Sequence, residues 1–504
     1  MKKLFNSVLT SLKSNKKSSR QPPLPDPASA GASSSGLDLN SSAQVEAGDG
    51  ISNGETEGQN TASQDSANPG SSDLESTNQE SLNQKKSVIL TGAVIGRTAN
   101  TFYYLKVPKD DAEKELPELG IEARHDVENA AQLAYPFTLP SDIVDTKVYV
   151  VISTLSGTQL ATSFYDNILA PLLKRLKSEL DISETIHVER TKDARSVIDL
   201  TNTLFASNAN QGIRQLIILL SGDGGIVDVL NELPTTISSN YLPPQVSLIP
   251  LGTGNALAQS SGIADETWGL STLARGHAKA LPTFIATFSS GARLLVDEAR
   301  QEEELSLKDE KGHPYMRGAV VCSWGMHAGL VADSDTAEYR KFGVERFKMA
   351  AKEALYPEDG AGPHHYKAKL SLLPKGSTHW KKIERTEHAY VLTTLVSNLE
   401  KGFTISPESA PLQGSMRIVH FGPMAGDEIM QLMTKAYQGG QHISEESVSY
   451  EEVDGVRISF EGREDDARWR RICVDGKIIR LEADGWVEIR KEPRHLLSLR
   501  HLSR

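Results

Sequence analysis

The sequence predicts a three-layer α/β domain with a parallel sheet, then an antiparallel β-sandwich domain, both behind a disordered N-terminal tail. Between residues 146 and 281, short apolar runs alternate with helical patterns, which is typical of a parallel sheet covered by helices on both faces. From residue 282 to 492, strand-like runs separated by glycine or aspartate turns dominate. No aromatic residue occurs between Phe5 and Phe102, so most of that stretch lacks the apolar area that a core needs.

The predicted tail covers residues 1–86 and has an uneven charge. Residues 1–20 carry six basic side chains and no acid, whereas residues 21–84 carry ten acids and no lysine or arginine. Five apolar side chains share one face at helical spacing in the basic part: Leu4, Phe5, Val8, Leu9 and Leu12. Three interpretations fit this pattern: an amphipathic segment that contacts anionic membrane, a mitochondrial presequence, or the solvated start of a disordered tail.

Composition argues against several classes of protein. The net charge is -12 and the ordered body is mildly acidic, which argues against a general nucleic-acid binder. Two cysteines, Cys322 and Cys473, cannot form a disulfide framework and indicate a reducing compartment such as the cytoplasm. The longest apolar runs are the size of strands, below the ~18 residues of a spanning helix, so we expect any membrane contact to be peripheral. No specific protein partner follows from the sequence.

The region 146–281 alternates strands with helices. The strands are predicted at 147–153, 185–190, 215–221 and 245–250, and the helices at 163–176, 194–205 and 226–233. Pro171 is expected to kink the first helix. Two further helices, near 337–355 and 425–437, interrupt the β-rich region. Residues 87–145 contain short strand-like runs without a domain assignment, and residues 493–504 are expected to form a C-terminal tail.

Two glycine turns follow neighbouring strands of the predicted sheet. The third strand ends in SGDGG (221–225) and the fourth in PLGTGNALA (250–258), and each turn opens a helix. Ligands of parallel sheets bind beyond the carboxyl ends of the strands, and glycines let free helix N–H groups approach a phosphate closely. Either turn alone fits an ordinary tight turn, but the pair predicts one shared anion-binding edge. Neither turn is the Rossmann fingerprint or the Walker loop.

At these turns the sequence resembles the catalytic domain that diacylglycerol kinases and sphingosine kinases share. SGDGGIVDVLNEL (221–233) is followed by SLIPLGTGNALA (247–258), with 29 residues from Asp223 to Gly252. Four later stretches match the family in the same order: SWGMHAGLVADSD (323–335), YRKFGVERF (339–347), GGQH (439–442) and VDG (474–476). The resemblance implies an ATP-dependent lipid kinase that uses magnesium.

The resemblance also implies roles for individual residues. Asp223 is the implied catalytic base, which accepts the proton of a lipid hydroxyl or orders the magnesium shell. The residues implied in ATP binding are Ser156, Gly157, Thr191, Ser221, Gly222, Gly224, Gly252, Thr253, Gly254, Asn255, Arg340, Arg346, Asp475 and Gly476. Asp475 is also the implied magnesium ligand. The alternatives are a turn aspartate at position 223, surface salt bridges for the arginines, and a plain hairpin turn at 475–476.

Three further residues bear on the lipid. Asp333 and Asp335 match acids near the lipid head in sphingosine kinases, and a carboxylate there would recognise the 2-amino group of a sphingoid base. His442 matches a histidine near the lipid. Asp335 also fits a helix N-cap, and a lone histidine is often structural.

The sequence departs from the family pattern at several positions. Ser153 and Thr154 stand where the family usually has Asn-Pro, Asp228 replaces a glutamate, and Lys477 replaces an acid after Asp-Gly. A short insertion lies within residues 326–331. Four hypotheses remain: a kinase for sphingoid bases, a kinase for diacylglycerol or ceramide, an NAD kinase-like enzyme, and an inactive lipid- or nucleotide-binding regulator. The SWG and VDG stretches favour a lipid over NAD, and the two acids favour a sphingoid base.

Overall fold

The computed structural model describes residues 93–106, 116–130, 136–137, 145–155, 157, 159–180, 185–340, 342 and 345–502. The predicted tail at residues 1–86, with its basic start, lies outside the described residues, as does Ser156. The described chain forms an α/β domain followed by an antiparallel β domain, which confirms the predicted fold class.

A small antiparallel sheet precedes the α/β domain, within the stretch that the sequence leaves unassigned. Its strands are β1 (Ala93–Arg97), β2 (Thr101–Lys106) and β3 (Glu118–Ala123), with β2 in the middle. Ile95, Tyr103 and Leu105 are fully buried on one face and pack into the core of the α/β domain. The small sheet therefore adds a layer to that domain.

The central sheet of the α/β domain is built from parallel strands with helices between them. The strands are β4 (Lys147–Ile152), β5 (Ile186–Arg190), β6 (Gln215–Ser221) and β7 (Gln245–Pro250), followed by the short β8 (His277–Ala280). The helices after these strands are α1 (161–179), α2 (196–210), α3 (Asp223–Glu232), α4 (Ala256–Ser260) and α5 (Glu266–Arg275). β6 lies in the centre because it pairs in parallel with both β4 and β7. Helices cover both faces, which gives three layers.

Helix α1 continues through Pro171 without ending there. It comprises Ala161–Phe164, a π-helical turn at Tyr165–Leu169, and Ala170–Glu179. Proline cannot donate a helical hydrogen bond, and the wider turn just before it changes the bonding pattern at that point. A π-helical turn therefore lies directly before the position where the kink is expected.

The β domain is organised around one 13-stranded antiparallel sheet. Two short strand pairs, β14 with β17 and β19 with β20, lie outside this sheet. The strands of the domain are β9 (Phe284–Phe288), β10 (Arg293–Val296), β11 (Gln301–Glu304), β12 (Tyr315–Gly318), β13 (Val321–Gly325), β14 (Tyr366–Lys367), β15 (Lys369–Pro374), β16 (Lys381–Lys382), β17 (Glu387–His388), β18 (Tyr390–Thr394), β19 (Asn398–Glu400), β20 (Phe403–Thr404), β21 (Arg417–Phe421), β22 (Val448–Ser459), β23 (Arg471–Val474), β24 (Lys477–Arg480) and β25 (Trp486–Lys491). The helices of this domain are α6 (Met326–Ser334), α7 (Ala337–Arg340), α8 (Glu345–Leu355) and α9 (Gly426–Ala436).

The long strand β22 links the two halves of the β domain. Its first half pairs with β21, and its second half pairs with β25 and β15. One strand therefore joins both halves of the domain into a single continuous antiparallel sheet.

The C-terminal residues are not a tail. Strand β26 (Ser498–His501) pairs in parallel with β7 and antiparallel with β8, so it becomes the sixth strand of the α/β sheet. Leu496, Leu497 and Leu499 are fully buried beside it. Burial of these leucines is the physical reason that the end of the chain returns to the first domain.

Helix α3 is fastened to the β domain at its C-terminal end by Arg317 of β12. The Arg317 guanidinium is fully buried and donates to the carbonyl oxygens of Leu230 at 3.1 Å and Leu233 at 2.8 Å. The Asn231 side chain exchanges two hydrogen bonds with the backbone of Arg317. A cation at the C-terminal end of a helix satisfies its last carbonyls and complements its dipole.

Replacing Arg317 should destabilise the protein more than replacing an exposed arginine. We expect Arg317→Ala to lower the free energy of unfolding by about 3 kcal/mol, because buried carbonyls lose their donor and Glu492 loses a buried partner. Arg457→Ala is the control, since Arg457 is 44% exposed and its ion pair with Glu488 is long at 3.9 Å. Urea unfolding measures both variants, and equal losses would contradict this account of Arg317.

Candidate functional site

Three glycines bring the loops after β4, β6 and β7 into direct backbone contact. We call this contact of Gly157, Gly222 and Gly252 the loop junction. A Cβ added at Gly252 would lie 2.3 Å from Cα of Gly222, and one added at Gly157 would lie 2.6 Å from Cα of Gly252. Gly157 also has a φ of 51°, a conformation that favours glycine. The two predicted glycine turns therefore meet at the carboxyl edge of the sheet.

Asp223 ties the two turns together. It is the first residue of α3, and its carboxylate accepts hydrogen bonds from the backbone N–H of Ala256 at 2.7 Å and of Leu257 at 3.0 Å. These N–H groups open α4, so the carboxylate of one turn caps the helix of the next. Asp223 is partly buried, and burial raises the pKa of its carboxyl group while the two backbone N–H groups act against the rise.

Asn255 shapes the second turn from within. Its backbone has a φ of 52°, in the left-handed region that asparagine tolerates. Its side-chain oxygen accepts from the N–H of Gly252 at 3.0 Å, and its amide donates to the carbonyl of Gly252 at 2.9 Å. Thr253 is exposed, and the backbone amides of Thr253 and Gly254 donate to no group in the part of the chain that the structure describes. Those two amides are available to an anion.

Thr191 and Thr154 brace the loop after β4. The Thr154 hydroxyl donates to the Thr191 carbonyl at 2.8 Å, and the Thr154 N–H donates to the Thr191 hydroxyl at 3.0 Å. Thr191 is predicted to contact ATP, and in the structure it joins the loop after β5 to the loop after β4. Thr154, one of the two departures from Asn-Pro, supplies that brace.

Ser221 joins the first turn to the second through its backbone. The Leu251 N–H donates to its carbonyl oxygen at 3.2 Å, and its side chain is buried. Gly224, by contrast, is exposed, and a Cβ added there would meet open space. The open side of the junction therefore lies at Gly224.

The β domain also contributes to the site through its β19–β20 hairpin. A Cβ added at Gly254 would lie 3.2 Å from the Leu399 carbonyl oxygen. The Ser260 hydroxyl donates to the Asn398 carbonyl at 3.1 Å and accepts from the Asn398 N–H at 2.9 Å. The second glycine turn is therefore held between the two domains.

Asp475 and Gly476 form the two-residue turn between β23 and β24. Both have positive φ, 46° and 91°, as an Asp-Gly hairpin turn requires. The Asp475 carboxylate is buried and accepts from the N–H groups of three successive residues: Ala319 at 2.6 Å, Val320 at 3.1 Å and Val321 at 2.6 Å. Burial raises the pKa of Asp475 to about 7, and the nearby charge of Asp223 adds to the rise. The turn therefore lies close to Asp223.

The two charged departures from the family pattern pair with each other. The Lys477 ammonium lies 2.8 Å from an Asp228 carboxylate oxygen. This ion pair connects the middle of α3 with the hairpin that carries Asp475. The charge reversal at position 477 is thus matched by a carboxylate on the facing helix.

The described carboxylates do not form a protein-held magnesium site. Among the described residues, no group of three or more histidine, cysteine or acidic side chains is arranged to hold a metal ion. The sequence assigns Asp475 to magnesium, but both of its oxygens already accept backbone N–H groups. This engagement favours a structural role for Asp475, and the use of magnesium stays a prediction.

The two acids assigned to the lipid both carry guanidinium partners. Asp333, at the end of α6, accepts from Arg468 at 2.9 Å and pairs with Arg471 at 2.8 Å. Asp335 pairs with Arg346 at 3.0 Å. The structure therefore brings together Asp335, assigned to the lipid, and Arg346, assigned to the phosphates.

Three further residues were assigned to the site: His442, Arg340 and Ser156. His442 is fully buried, with one ring nitrogen 3.1 Å from the Ile405 carbonyl oxygen, and burial lowers its pKa to about 4. Arg340 lies at the end of α7, but its side chain is outside the described part of the structure, as is all of Ser156. No helix within the described residues has the length and apolar character needed to cross a membrane.

Comparison with known proteins identifies the part of the chain that carries this site. Residues 147–284 match the family model described as the diacylglycerol kinase catalytic domain. A solved diacylglycerol kinase from Bacillus anthracis str. Sterne aligns with 71% of this chain and 97% of its own, at 13% identity and a TM-score of 0.43. Another structure from that strain, provisionally described as a diacylglycerol kinase, has the same coverage at 14% identity and a TM-score of 0.46. Among curated protein sequences, none matches this chain.

The two glycine turns should tolerate an added side chain at Gly224 and not at Gly252. We expect Gly252→Ala to cost about 1–3 kcal/mol of stability, because its Cβ would overlap the backbone of Gly222. Gly224→Ala is the matched control, since it adds a methyl group to open space within a helix and should not destabilise the fold. Thermal unfolding of both variants measures the difference, and similar melting temperatures would show that the loops do not meet as described.

Proposed function

We propose that this chain, which carries a diacylglycerol kinase catalytic domain at residues 147–284, transfers the γ-phosphate of ATP to the primary hydroxyl of a sphingoid long-chain base. The family match supports the coarser statement, a lipid kinase that uses ATP. The finer choice of a sphingoid base depends on the residues of the site.

One observation carries the proposal: the Asp223 carboxylate lies where the two glycine turns meet. A phosphate bound by the amides of Thr253 and Gly254 would lie beside this carboxylate, because Asp223 is hydrogen-bonded to Ala256 and Leu257 in the same turn. Phosphoryl transfer depends mainly on positioning the reactants and on electrostatic stabilisation. The two glycine turns therefore bring the amides of Thr253 and Gly254 and the carboxylate of Asp223 to the same edge of the sheet.

Asp223 has a defined part in the proposed step. The lipid hydroxyl oxygen forms a bond to the γ-phosphorus, and the bond from that phosphorus to the β,γ-bridging oxygen breaks. The hydroxyl proton passes to a carboxylate oxygen of Asp223, and ADP leaves with the bridging oxygen. Burial raises the pKa of Asp223, which makes it a stronger base than an exposed aspartate. Its two backbone hydrogen bonds hold the carboxylate in place without occupying all of its lone pairs.

The acids on the β domain support a cationic lipid head. Asp335 is about half exposed, so its carboxylate is accessible from solvent while it pairs with Arg346. A sphingoid amine would form a charge-assisted hydrogen bond there, and Arg346 would remain available to a phosphate oxygen. Magnesium enters this proposal only as the counter-ion of the nucleotide, since phosphate oxygens are its usual ligands in such sites.

Diacylglycerol is the second candidate substrate, and a specific observation favours it. Asp333 and Asp335 are already paired with guanidinium groups. An amine would have to share or displace these partners, whereas the uncharged head of diacylglycerol would not.

Phosphate transfer to a panel of lipids tests the proposal. The full chain is incubated with radiolabelled ATP and magnesium, and with sphingosine, phytosphingosine, diacylglycerol, ceramide or NAD in separate reactions. We expect transfer to the two sphingoid bases. We expect Asp223→Asn to lower kcat by about 10²–10⁴-fold, because it removes the base and one of the two backbone hydrogen bonds that orient it. Asp335→Asn should raise KM for sphingoid bases and leave KM for ATP nearly unchanged.

Other outcomes assign the function differently. Transfer only to diacylglycerol, insensitive to Asp335→Asn, would favour the second candidate. Transfer only to NAD would contradict a lipid kinase, and ATP binding without transfer to any acceptor would indicate the inactive regulator.

We also propose that residues 1–20 bring the enzyme to anionic membrane. Six basic side chains near a charged surface contribute about 1 kcal/mol each, and the apolar face adds to this. The full chain and a variant without residues 1–20 are sedimented with vesicles of phosphatidylcholine, with and without phosphatidylserine. We expect only the full chain to bind the anionic vesicles, and less so at high salt. Equal binding by both chains would contradict the proposed role.

A further inference from the structure

The departure at position 477 places a positive charge beside the open side of the site. The Lys477 side chain is 33% exposed, and its ammonium lies 2.8 Å from Asp228. Lys477 is thus held by a carboxylate while part of its surface remains accessible.

Helix geometry relates this ammonium to the loop junction. Asp228 and Gly224 are four residues apart in α3, so they lie on the same face, one turn apart. Gly224 is exposed and borders open space, and the Asp228–Lys477 pair borders the same face. At the other end of the hairpin turn, Asp475 lies close enough to Asp223 to raise its own pKa. The direct contact between this hairpin and α3 is the Lys477–Asp228 ion pair.

Lys477 adds a positive charge to an edge of the site that carries several carboxyl groups. Asp223, Asp228 and Asp475 place three carboxyl groups around the first turns of α3. A triphosphate approaching that edge would meet like charges, which weaken binding unless a cation compensates. An ammonium has three N–H donors, and the pair with Asp228 uses one of them. Asp228 is the partner of this ammonium among the residues that the structure describes, so the other two donors remain to bind a phosphate oxygen.

We propose that Lys477 is a phosphate-binding residue of this enzyme, held in place by Asp228. The inference rests on the proposed function, since the phosphate is that of ATP. Asp228 acts as a positioning residue, because it holds the ammonium toward α3 without contacting the anion.

The two members of the pair should respond differently to substitution, which separates phosphate binding from a structural salt bridge. ATP, ADP and adenosine are titrated into the full chain by calorimetry. We expect Lys477→Met to weaken ATP binding by about tenfold, the loss of one charge-assisted hydrogen bond, and to leave adenosine binding unchanged. We expect Asp228→Asn to weaken ATP binding clearly less than Lys477→Met does, because the ammonium remains and only its positioning partner is weakened. Lys477→Arg should bind ATP nearly as the unaltered chain does.

Lys491→Met is the matched control. Lys491 is 32% exposed and pairs with Asp454 at 2.9 Å, so it resembles Lys477 in exposure and pairing but lies in β25. Its replacement should not change ATP binding. If Lys477→Met and Asp228→Asn weakened ATP binding equally, the pair would be structural only and the inference would be overturned. If the unaltered chain bound no ATP, the proposed function would fail as well.

A measurement on the unaltered chain avoids any effect of substitution on folding. Acetic anhydride acetylates exposed lysines, and mass spectrometry of peptides gives the rate at each position. We expect ATP to slow acetylation of Lys477 several-fold and to leave Lys491 unchanged. Equal rates at Lys477 with and without ATP, at a concentration where calorimetry shows binding, would overturn the inference.

Discussion

The hydrogen bonds from Ala256 and Leu257 to the Asp223 carboxylate are the contact on which the site depends. They join the loop after β6 to the helix after β7, although both loops consist largely of glycine and have few side chains to hold them. The same carboxylate is oriented, partly buried and given a raised pKa by this contact. The Asp223 side chain therefore holds the turn whose amides would bind an anion, and it is also the proposed proton acceptor. If these two hydrogen bonds were broken, we would expect both anion binding and proton removal to be impaired.

Helix α3, which begins with Asp223, is attached to the β domain at several points. Arg317 holds its C-terminal end, Lys477 pairs with its middle, and Asp223 forms its first residue. Strand β26 adds a further connection, since the last strand of the chain completes the first sheet. The domain that would bind a lipid and the domain that would bind a nucleotide are therefore joined along the helix that carries the proposed base. Small displacements of the hairpin at Asp475 would reach Asp223 through these contacts.

The sequence predicted the parts of the site that depend on local pattern. Alternating strands and helices, with glycine turns after two neighbouring strands, were sufficient to place Gly222 and Gly252 at one edge. Contacts between distant parts of the chain could not be predicted in this way. The capping of α4 by Asp223 joins two separate turns, and the Asp228–Lys477 pair joins two domains. Helix α6 was missed because its apolar residues surround it without a helical period, and the short insertion there adds about one turn.

Hydrogen–deuterium exchange with and without ATP tests the central claim, that the two glycine turns form one phosphate cradle. We expect ATP to slow exchange together in residues 221–226 and 252–257, with little change in the outer strands of the β domain. Slowing in only one of the two turns, or slowing confined to another region at a concentration that saturates binding, would contradict it.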